Sequence, residues 1–241
     1  MTRQRLDQAL VTRGLVATRS QAESYIKLGS VKLNNSVVTK PHQQVGDTDN
    51  LVITAEDQYV SRAALKLASI ADEFKLDFRN KIILDVGSST GGFTDFALRR
   101  GAQKVIAVDV GTNQLHPSLR IHPDIELHEQ TDIRDFKTTD KIDLALADVS
   151  FISLREILPA IVRLTNRETK IVVMVKPQFE VQTERSSLKH KGVIKNDSMR
   201  RDVLKAFEQW AERSFKIVNK ADSKVHGSKG NIERFYLLKR L

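Results

Sequence analysis

The chain has no cysteine among its 241 residues. That excludes disulfide staples, thiolate zinc sites and cysteine nucleophiles, and it suits a reducing compartment. Aromatic residues make up only 6% and tryptophan occurs once, so aliphatic side chains must supply most of the core. No stretch approaches the roughly 18 uninterrupted apolar residues of a membrane helix; the run Ile171-Val-Val-Met-Val175 is closed by Lys176. The start, Met1-Thr-Arg-Gln-Arg-Leu6, has early arginines but no apolar segment and no small-residue cleavage site, so it does not read as a secretory signal. Neither H-x-E nor H-E-x-x-H occurs among the six histidines, and no metal site is expected. The expectation is a soluble cytoplasmic protein, with no membrane partner.

What the chain does have is a globular balance, 40% apolar and 29% charged, with a strong positive bias. Lys and Arg total 39 against 30 acidic residues, a net charge of +9, which points to a polyanionic partner. The first 46 residues hold seven of these cations (Arg3, Arg5, Arg13, Arg19, Lys27, Lys32 and Lys40) against Asp7 and Glu23. Leu6, Ala9, Leu10 and Leu15, then Ala22, Ile26 and Leu28, predict two short amphipathic helices, the second capped at Thr18 or Ser20. Val31–Leu33, Val37-Val38 and Leu51–Ile53 predict strands, separated by turns at Asn34-Asn35 and Gly46-Asp47. Residues 1–58 therefore form a small basic module with its linker, and residues 59–241 a second domain.

In that second domain, apolar strands alternate with helices, the pattern of a parallel sheet covered on both faces. Strands are predicted over Ile82–Asp85, Lys104–Asp109, Ile142–Ala147 and Lys170–Val175, and helices over Phe93–Arg100, Leu154–Leu164 and Ser198–Arg213. Phe215–Val218 and Glu233–Leu238 can close the sheet as a hairpin. Residues 183–197, with Arg185, Lys189, His190, Lys191 and Lys195, are expected to be a mobile loop able to close on a substrate.

Asp85-Val-Gly-Ser-Ser-Thr-Gly-Gly-Phe-Thr-Asp95 joins the first strong strand to a helix, where an open parallel sheet binds a nucleotide-like ligand. The dinucleotide fingerprint fails, because Ser89 stands in place of its second glycine, and no Lys-Ser/Thr follows as in a phosphate loop. Asp109 ends the second strand near the ~20-residue spacing at which a carboxylate meets ribose hydroxyls. Asp85 would repel a pyrophosphate but suits an ammonium and a sulfonium. S-adenosylmethionine carries both cations and a ribose, and is the expected cofactor. Its expected contacts are Asp85, Gly87, Ser88, Gly91, Gly92, Phe93, Asp109, Asp132 and Asp148. Asp148 and Lys176 each follow an expected central strand, where strand ends line the ligand crevice. Phe179 is a candidate to stack on a base.

Two sets of motifs carry a resemblance. Arg5-Leu-Asp-Gln-Ala-Leu10, Arg19-Ser-Gln-Ala22, Ile26-Lys-Leu-Gly-Ser-Val-Lys-Leu-Asn34 and Val45-Gly-Asp47 resemble the S4 RNA-binding domain. With them, the glycine turn, Asp109-Val-Gly-Thr-Asn-Gln-Leu115, Asp148-Val-Ser-Phe-Ile-Ser-Leu154, Val175-Lys-Pro-Gln-Phe-Glu180 and Gly230-Asn-Ile-Glu233 are similar to the TlyA family over essentially the whole chain. The resemblance implies an α/β fold, a Rossmann-like class I methyltransferase sheet with a small N-terminal α+β S4 domain. It implies methyl transfer from S-adenosylmethionine to ribose 2'-hydroxyls of ribosomal RNA, free or in a subunit. It further implies a catalytic Lys66, Asp148, Lys176 and Glu233, and RNA contacts from Arg3, Arg5, Arg19, Lys27 and Lys32; among the four, Lys176 is expected on its own chemistry to be the base that removes the hydroxyl proton. For a member with short ends it implies large-subunit RNA. One departure is Lys189-His-Lys-Gly192, where members more often carry a Gly-Gly pair.

Three other readings stay open on the sequence: an RNA-binding assembly factor without catalysis, a membrane-active hemolysin as the family's older label says, and a small-molecule methyltransferase. The sequence does not name the target nucleotide or the oligomeric state.

Overall fold

The computed structural model describes residues 3–16, 18–54, 59–181, 194, 196–225, 227 and 230–241. The expected substrate-closing loop at 183–197, with its Lys189-His-Lys-Gly192 departure, therefore lies almost wholly outside the described residues, as does the linker 55–58. At the N-terminus, β1 (Gln4–Arg5), α1 (Leu6–Thr12) and α2 (Arg19–Lys27) precede β2 (Val31–Leu33), β3 (Ser36–Val37), β4 (Gln44–Val45) and β5 (Leu51–Ile53). Thr18 caps α2, its hydroxyl accepting from the Gln21 N–H at 3.2 Å. The Asn-Asn turn is a tight one, with Asn34 and Asn35 both at positive φ, the geometry that two-residue hairpins need. Strands β3, β2 and β5 form one antiparallel sheet, and β1 pairs with β4 in a separate ribbon too short to show as a sequence pattern.

Asp7 is fully buried yet charged, and it explains how the first helices are held together. Its carboxylate accepts from Arg5 Nε at 3.0 Å, Arg5 Nη2 at 2.8 Å and Arg19 Nε at 2.8 Å. Burial opposes its ionisation, but these hydrogen bonds outweigh burial and hold the carboxyl below its ordinary value of 3.8. A group lowered in this way contributes stability at neutral pH that is lost as pH falls through its folded value. Asp7→Ala is therefore expected to cost about 1–3 kcal/mol, read as a lower urea midpoint at pH 7, and the difference from wild type should shrink below about pH 4.

The second part contains α3 (Arg62–Ala71), β6 (Ile82–Val86), α4 (Gly92–Arg99), β7 (Lys104–Val108), α5 (Pro117–Arg120), β8 (Ile125–His128) and β9 (Leu144–Ala147). It continues with α6 (Leu154–Leu164), β10 (Lys170–Val175), α7 (Pro177–Glu180), α8 (Asp197–Ala211), β11 (Phe215–Asp222) and β12 (Arg234–Arg240). The seven strands of its sheet run in the order β11-β12-β10-β9-β6-β7-β8. Strands β10, β9, β6, β7 and β8 are parallel, while β12 inserts antiparallel between β10 and β11. The expected terminal hairpin is present but longer than its apolar centre. The strand expected from Ile142 starts at Leu144, because Asp143 turns its carboxylate to the Ile82 N–H at 2.9 Å.

Side chains alternate between two cores, as strand geometry requires. Ile83, Val105, Leu146, Val172 and Phe235 face a cluster that continues through α3 and α4 into Ile26, Tyr25 and Leu10 of the N-terminal module. Leu84, Ile106, Ala145, Val173 and Tyr236 face α6 and α8 on the other side. The N-terminal module thus shares a core with the sheet domain, through Tyr59 packed on Phe96 at 5.7 Å between ring centroids and Gln21 donating to the Tyr59 carbonyl at 3.1 Å.

Candidate active site

The order of strands reverses between β6 and β9, and a crevice opens there at their carboxyl ends. The glycine turn after β6 forms its floor. Gly87 sits at φ +80°, and a Cβ on it would lie 2.8 Å from the Asp148 carbonyl oxygen, so the chain passes this point only as glycine. Gly91, at φ +92°, is the N-cap of α4, and a side chain there would strike Leu115 and Leu119. Gly92 packs equally closely on Ser61 and Ala63 at the start of α3.

The electrostatics of the floor are anionic. Asp85 is fully buried and accepts from Thr94 Oγ1 at 2.6 Å. Burial, reinforced by the Asp148 and Asp109 carboxylates and opposed by Thr94, pushes its carboxyl up to about 7. Its other oxygen, Oδ1, is buried without a hydrogen-bond partner, and so are the hydroxyls of Ser88 and Ser61. Asp109, after β7, accepts the backbone N–H of Ser89 at 2.8 Å and of Gly111 at 2.7 Å, which fixes its carboxylate at the rim. Orphaned oxygens on a carboxylate-lined floor fit a cationic ligand with ribose hydroxyls, and they disfavour a polyphosphate.

Two other expected cofactor residues have different settings. The Phe93 ring is not in the crevice: it is 2% exposed and packs on Phe235 at 6.2 Å, because its position on α4 faces the sheet. Only its main chain lies at the first turn of α4. Asp132 follows β8 on a segment bonded to the Asp109 loop, through the Thr131 N–H to the Asp109 carbonyl at 3.0 Å. Its carboxylate is clasped by Arg134, with Nη2 at 2.7 Å, which holds the carboxyl below its ordinary value.

Across the crevice, Asp148 follows β9 and Lys176 follows β10, with Lys176 Nζ 2.6 Å from Asp148 Oδ1. Arg234 is the register partner of Val175, so Glu233 enters the sheet beside the point where Lys176 leaves it. Lys66 reaches in from α3 and pairs with Glu233 at 2.5 Å, both nearly buried. The four residues thus stand as two ion pairs where β9 and β10 leave the sheet and β12 enters it. Lys176 also donates to Ser150 Oγ at 2.7 Å.

The loop from Asp148 to Ser153 is fastened by Glu180, which the sequence reading quoted in a motif without giving it a task. Buried at the end of α7, Glu180 accepts from Ser153 Oγ at 2.6 Å and from the Leu154 N–H at 2.7 Å, and so caps α6. Phe151 at the tip of the loop is 91% exposed, lies at φ +68° and rests on Phe179 at 5.2 Å. Phe179, the expected base-stacking residue, therefore forms an aromatic pair beside the Lys176 turn. Glu180→Gln keeps the shape but cannot accept at both oxygens. It is expected to lower unfolding stability by about 1–3 kcal/mol, measured by urea titration.

The expected RNA-contact residues all lie in the N-terminal module, in unequal settings. Arg3 and Lys27 are exposed and Lys32 is half-buried on β2. Arg5 and Arg19 are turned onto Asp7, which the sequence reading did not anticipate. Among the described residues no group of three or more His, Asp or Glu side chains could hold a metal ion, and no helix is long and apolar enough to cross a membrane.

A sheet of this order, with a glycine turn after its first strand and charged residues at the neighbouring strand ends, is that of a Rossmann-like methyltransferase, here carrying a small helix-and-strand module. Comparison with known proteins agrees. Residues 59–240 match the FtsJ-like methyltransferase family and residues 4–51 the S4 domain. Hemolysin A of Brachyspira hyodysenteriae is 40% identical over 234 residues, covering 95% of this chain and 97% of that protein. TlyA of Mycobacterium tuberculosis, named a 16S/23S rRNA (cytidine-2'-O)-methyltransferase, is 38% identical over 98% of this chain and 90% of its own length. TlyA of Campylobacter jejuni, named a 23S rRNA (cytidine-2'-O)-methyltransferase, is 46% identical over 74% of this chain and 70% of its own. A solved structure from Streptococcus thermophilus, described as a candidate hemolysin, superposes with a TM-score of 0.70 at 35% identity, covering 100% of this chain and 89% of that one. The chain belongs to the TlyA family of FtsJ-like methyltransferases.

Proposed function

We propose that this protein transfers a methyl group from S-adenosylmethionine to a ribose 2'-hydroxyl of ribosomal RNA, acting in the cytoplasm. The observation that carries the reading is the Lys176–Asp148 pair, 2.6 Å apart, at the strand ends that adjoin the glycine turn. It is supported by relatives whose names state this reaction on cytidine. When bound, the cofactor supplies a methyl group on a sulfonium that is already activated. The protein's task is then to hold the acceptor oxygen in line and to take its proton.

Asp85, Ser88 and Asp109 would bind the cofactor, the first through the buried oxygen that lacks a partner and the last through lone pairs at the rim. Lys176 takes the hydroxyl proton as the new oxygen–carbon bond forms and the sulfur–carbon bond breaks, and passes that proton to water. Asp148 fixes Lys176, and the Lys66–Glu233 pair orients the ribose beside it. The N-terminal module, through Arg3, Lys27 and Lys32, holds the RNA by its phosphates. Arg5 and Arg19 present there the outer faces of guanidiniums whose inner faces bind Asp7. We place the boundary between the two domains at residue 58.

The test is incubation with methyl-labelled S-adenosylmethionine and small subunits, large subunits or naked rRNA from cells lacking this modification. The result expected is label on a 2'-oxygen of rRNA in at least one of the three. No label on any of the three, with cofactor binding intact, would overturn the proposal and favour a binding protein of ribosome assembly.

A further inference from the structure

The Lys176 nitrogen has three substituent positions besides its own carbon. Nζ makes a hydrogen bond to Ser150 Oγ at 2.7 Å and an ion pair with Asp148 Oδ1 at 2.6 Å that lacks hydrogen-bond alignment. We propose that Ser150 is a positioning residue that, together with Asp148, selects which position on Lys176 carries the lone pair when the ribose hydroxyl is deprotonated. This rests on the reading of Lys176 as the base.

As a base, Lys176 is an amine with two hydrogens and one lone pair to distribute over three directions. Ser150 Oγ accepts one hydrogen, which leaves two directions open. If nothing distinguished them, the lone pair would face the wrong way in about half of the molecules, and the amine would have to turn before each transfer. The Asp148 carboxylate, 2.6 Å away, draws the second hydrogen to its side by charge, so the lone pair is left with the remaining direction. The competing arrangement, in which the serine hydroxyl donates to the lone pair, would quench the base, and it makes the opposite prediction for removal of the hydroxyl.

The backbone is built to hold Ser150 there. Phe151, the next residue, sits at φ +68°, a conformation that is strained for a bulky residue and persists only where its surroundings impose it. Those surroundings are the Phe151–Phe179 contact at 5.2 Å and the Glu180 clamp on Ser153 and Leu154. Phe179 and Glu180 belong to the same short helix that begins directly after Lys176. The base and its hydroxyl acceptor are therefore set by one rigid corner, although 26 residues separate them in the chain.

The experiment compares the full chain with Ser150→Ala, Ser150→Thr and Lys176→Met, using rRNA or subunits that the wild type methylates. Steady-state and single-turnover rates are measured alongside cofactor affinity and thermal midpoint. For Ser150→Ala, kcat is expected to fall about 10- to 100-fold, the scale of a misdirected reacting group. Its KM for RNA and its cofactor affinity should stay within about twofold, the limit set for an effect confined to the chemical step. Ser150→Thr, which keeps the oxygen, should recover most of the loss. An unchanged or raised kcat in Ser150→Ala, a loss expressed in KM or thermal midpoint instead of kcat, or a threonine variant as slow as alanine would each overturn the proposal. Full activity in Lys176→Met would instead overturn the reading of the base on which the proposal rests. An inactive Lys176→Met beside an unaffected Ser150→Ala overturns the positioning role alone.

Discussion

Lys176→Met is expected to lower the rate of methyl transfer by about 10³-fold or more, at the upper range of what one positioned base contributes, while cofactor affinity stays within about threefold. Methionine fills much the same volume but can neither accept the proton nor pair with Asp148, whose side chain is only 14% exposed. The substitution leaves that half-buried carboxylate without its cation, so a stability loss of about 1–3 kcal/mol accompanies it. Lys176→Arg separates chemistry from charge. Arginine keeps the cation beside Asp148 but cannot be deprotonated in a protein. If Lys176 takes the proton, the arginine variant is as inactive as methionine but close to wild type in stability. If Lys176 only neutralises Asp148 or attracts RNA, arginine retains most of the rate. Single-turnover transfer of labelled methyl, with urea unfolding of the same samples, decides between them.

The sheet was legible because buried parallel strands are short, apolar and bounded. Lys170–Val175 and the helix Leu154–Leu164 have the same limits in the chain as in the fold. Strand β8 escaped because Ile125-Glu-Leu-His128 is a half-buried edge strand whose polar residues pair locally, Glu126 with Lys104 and His128. The strand ends that carry Asp148 and Lys176 could be located from the same apolar runs. Which cation meets which anion could not. The pairing of Lys176 with Asp148 depends on β10 lying beside β9, and that of Lys66 with Glu233 on β12 entering between β10 and β11, placements that leave no mark in any one segment.

The direction of the Phe93 ring could not be read for a related reason. A residue next to a glycine turn can point into the crevice or under the helix, and only the seating of α4 on Phe235 decides. Arg5 and Arg19 read as free cations because the burial of Asp7, their common partner, cannot be inferred from its neighbours in sequence. Ser150 and Glu180 are ordinary polar residues inside longer motifs, and their significance lies in contacts across 26 and 27 positions.

Cofactor affinity is expected to depend on pH through Asp85, and Asp85→Asn is expected to remove both the dependence and most of the affinity. Burial raises this carboxyl from 3.8 to about 7, so at about pH 6 most molecules hold a proton there that the unfolded chain would release. Between about pH 4 and 7 the folded state binds more protons than the unfolded one, and stability therefore falls as pH rises through that window, by about 4 kcal/mol in total for this group. A cationic ligand reverses the balance. It favours the ionised carboxylate, so the proton must leave when the cofactor binds, and affinity should rise nearly tenfold per unit as pH increases towards about 7, then level off. Calorimetry in buffers of different ionisation enthalpy should show about one proton released at pH 6 and almost none at pH 8. In Asp85→Asn the amide still accepts from Thr94 but presents no charge. That variant should bind the cofactor about 100-fold more weakly with a flat pH response, and its empty form should melt higher than wild type at pH 8, because it no longer buries a charge. A wild-type affinity that does not change between pH 6 and 7.5, or an Asp85→Asn variant that binds as tightly, would remove Asp85 from the cofactor's cationic groups and assign the buried carboxylate to the support of the glycine turn through Thr94.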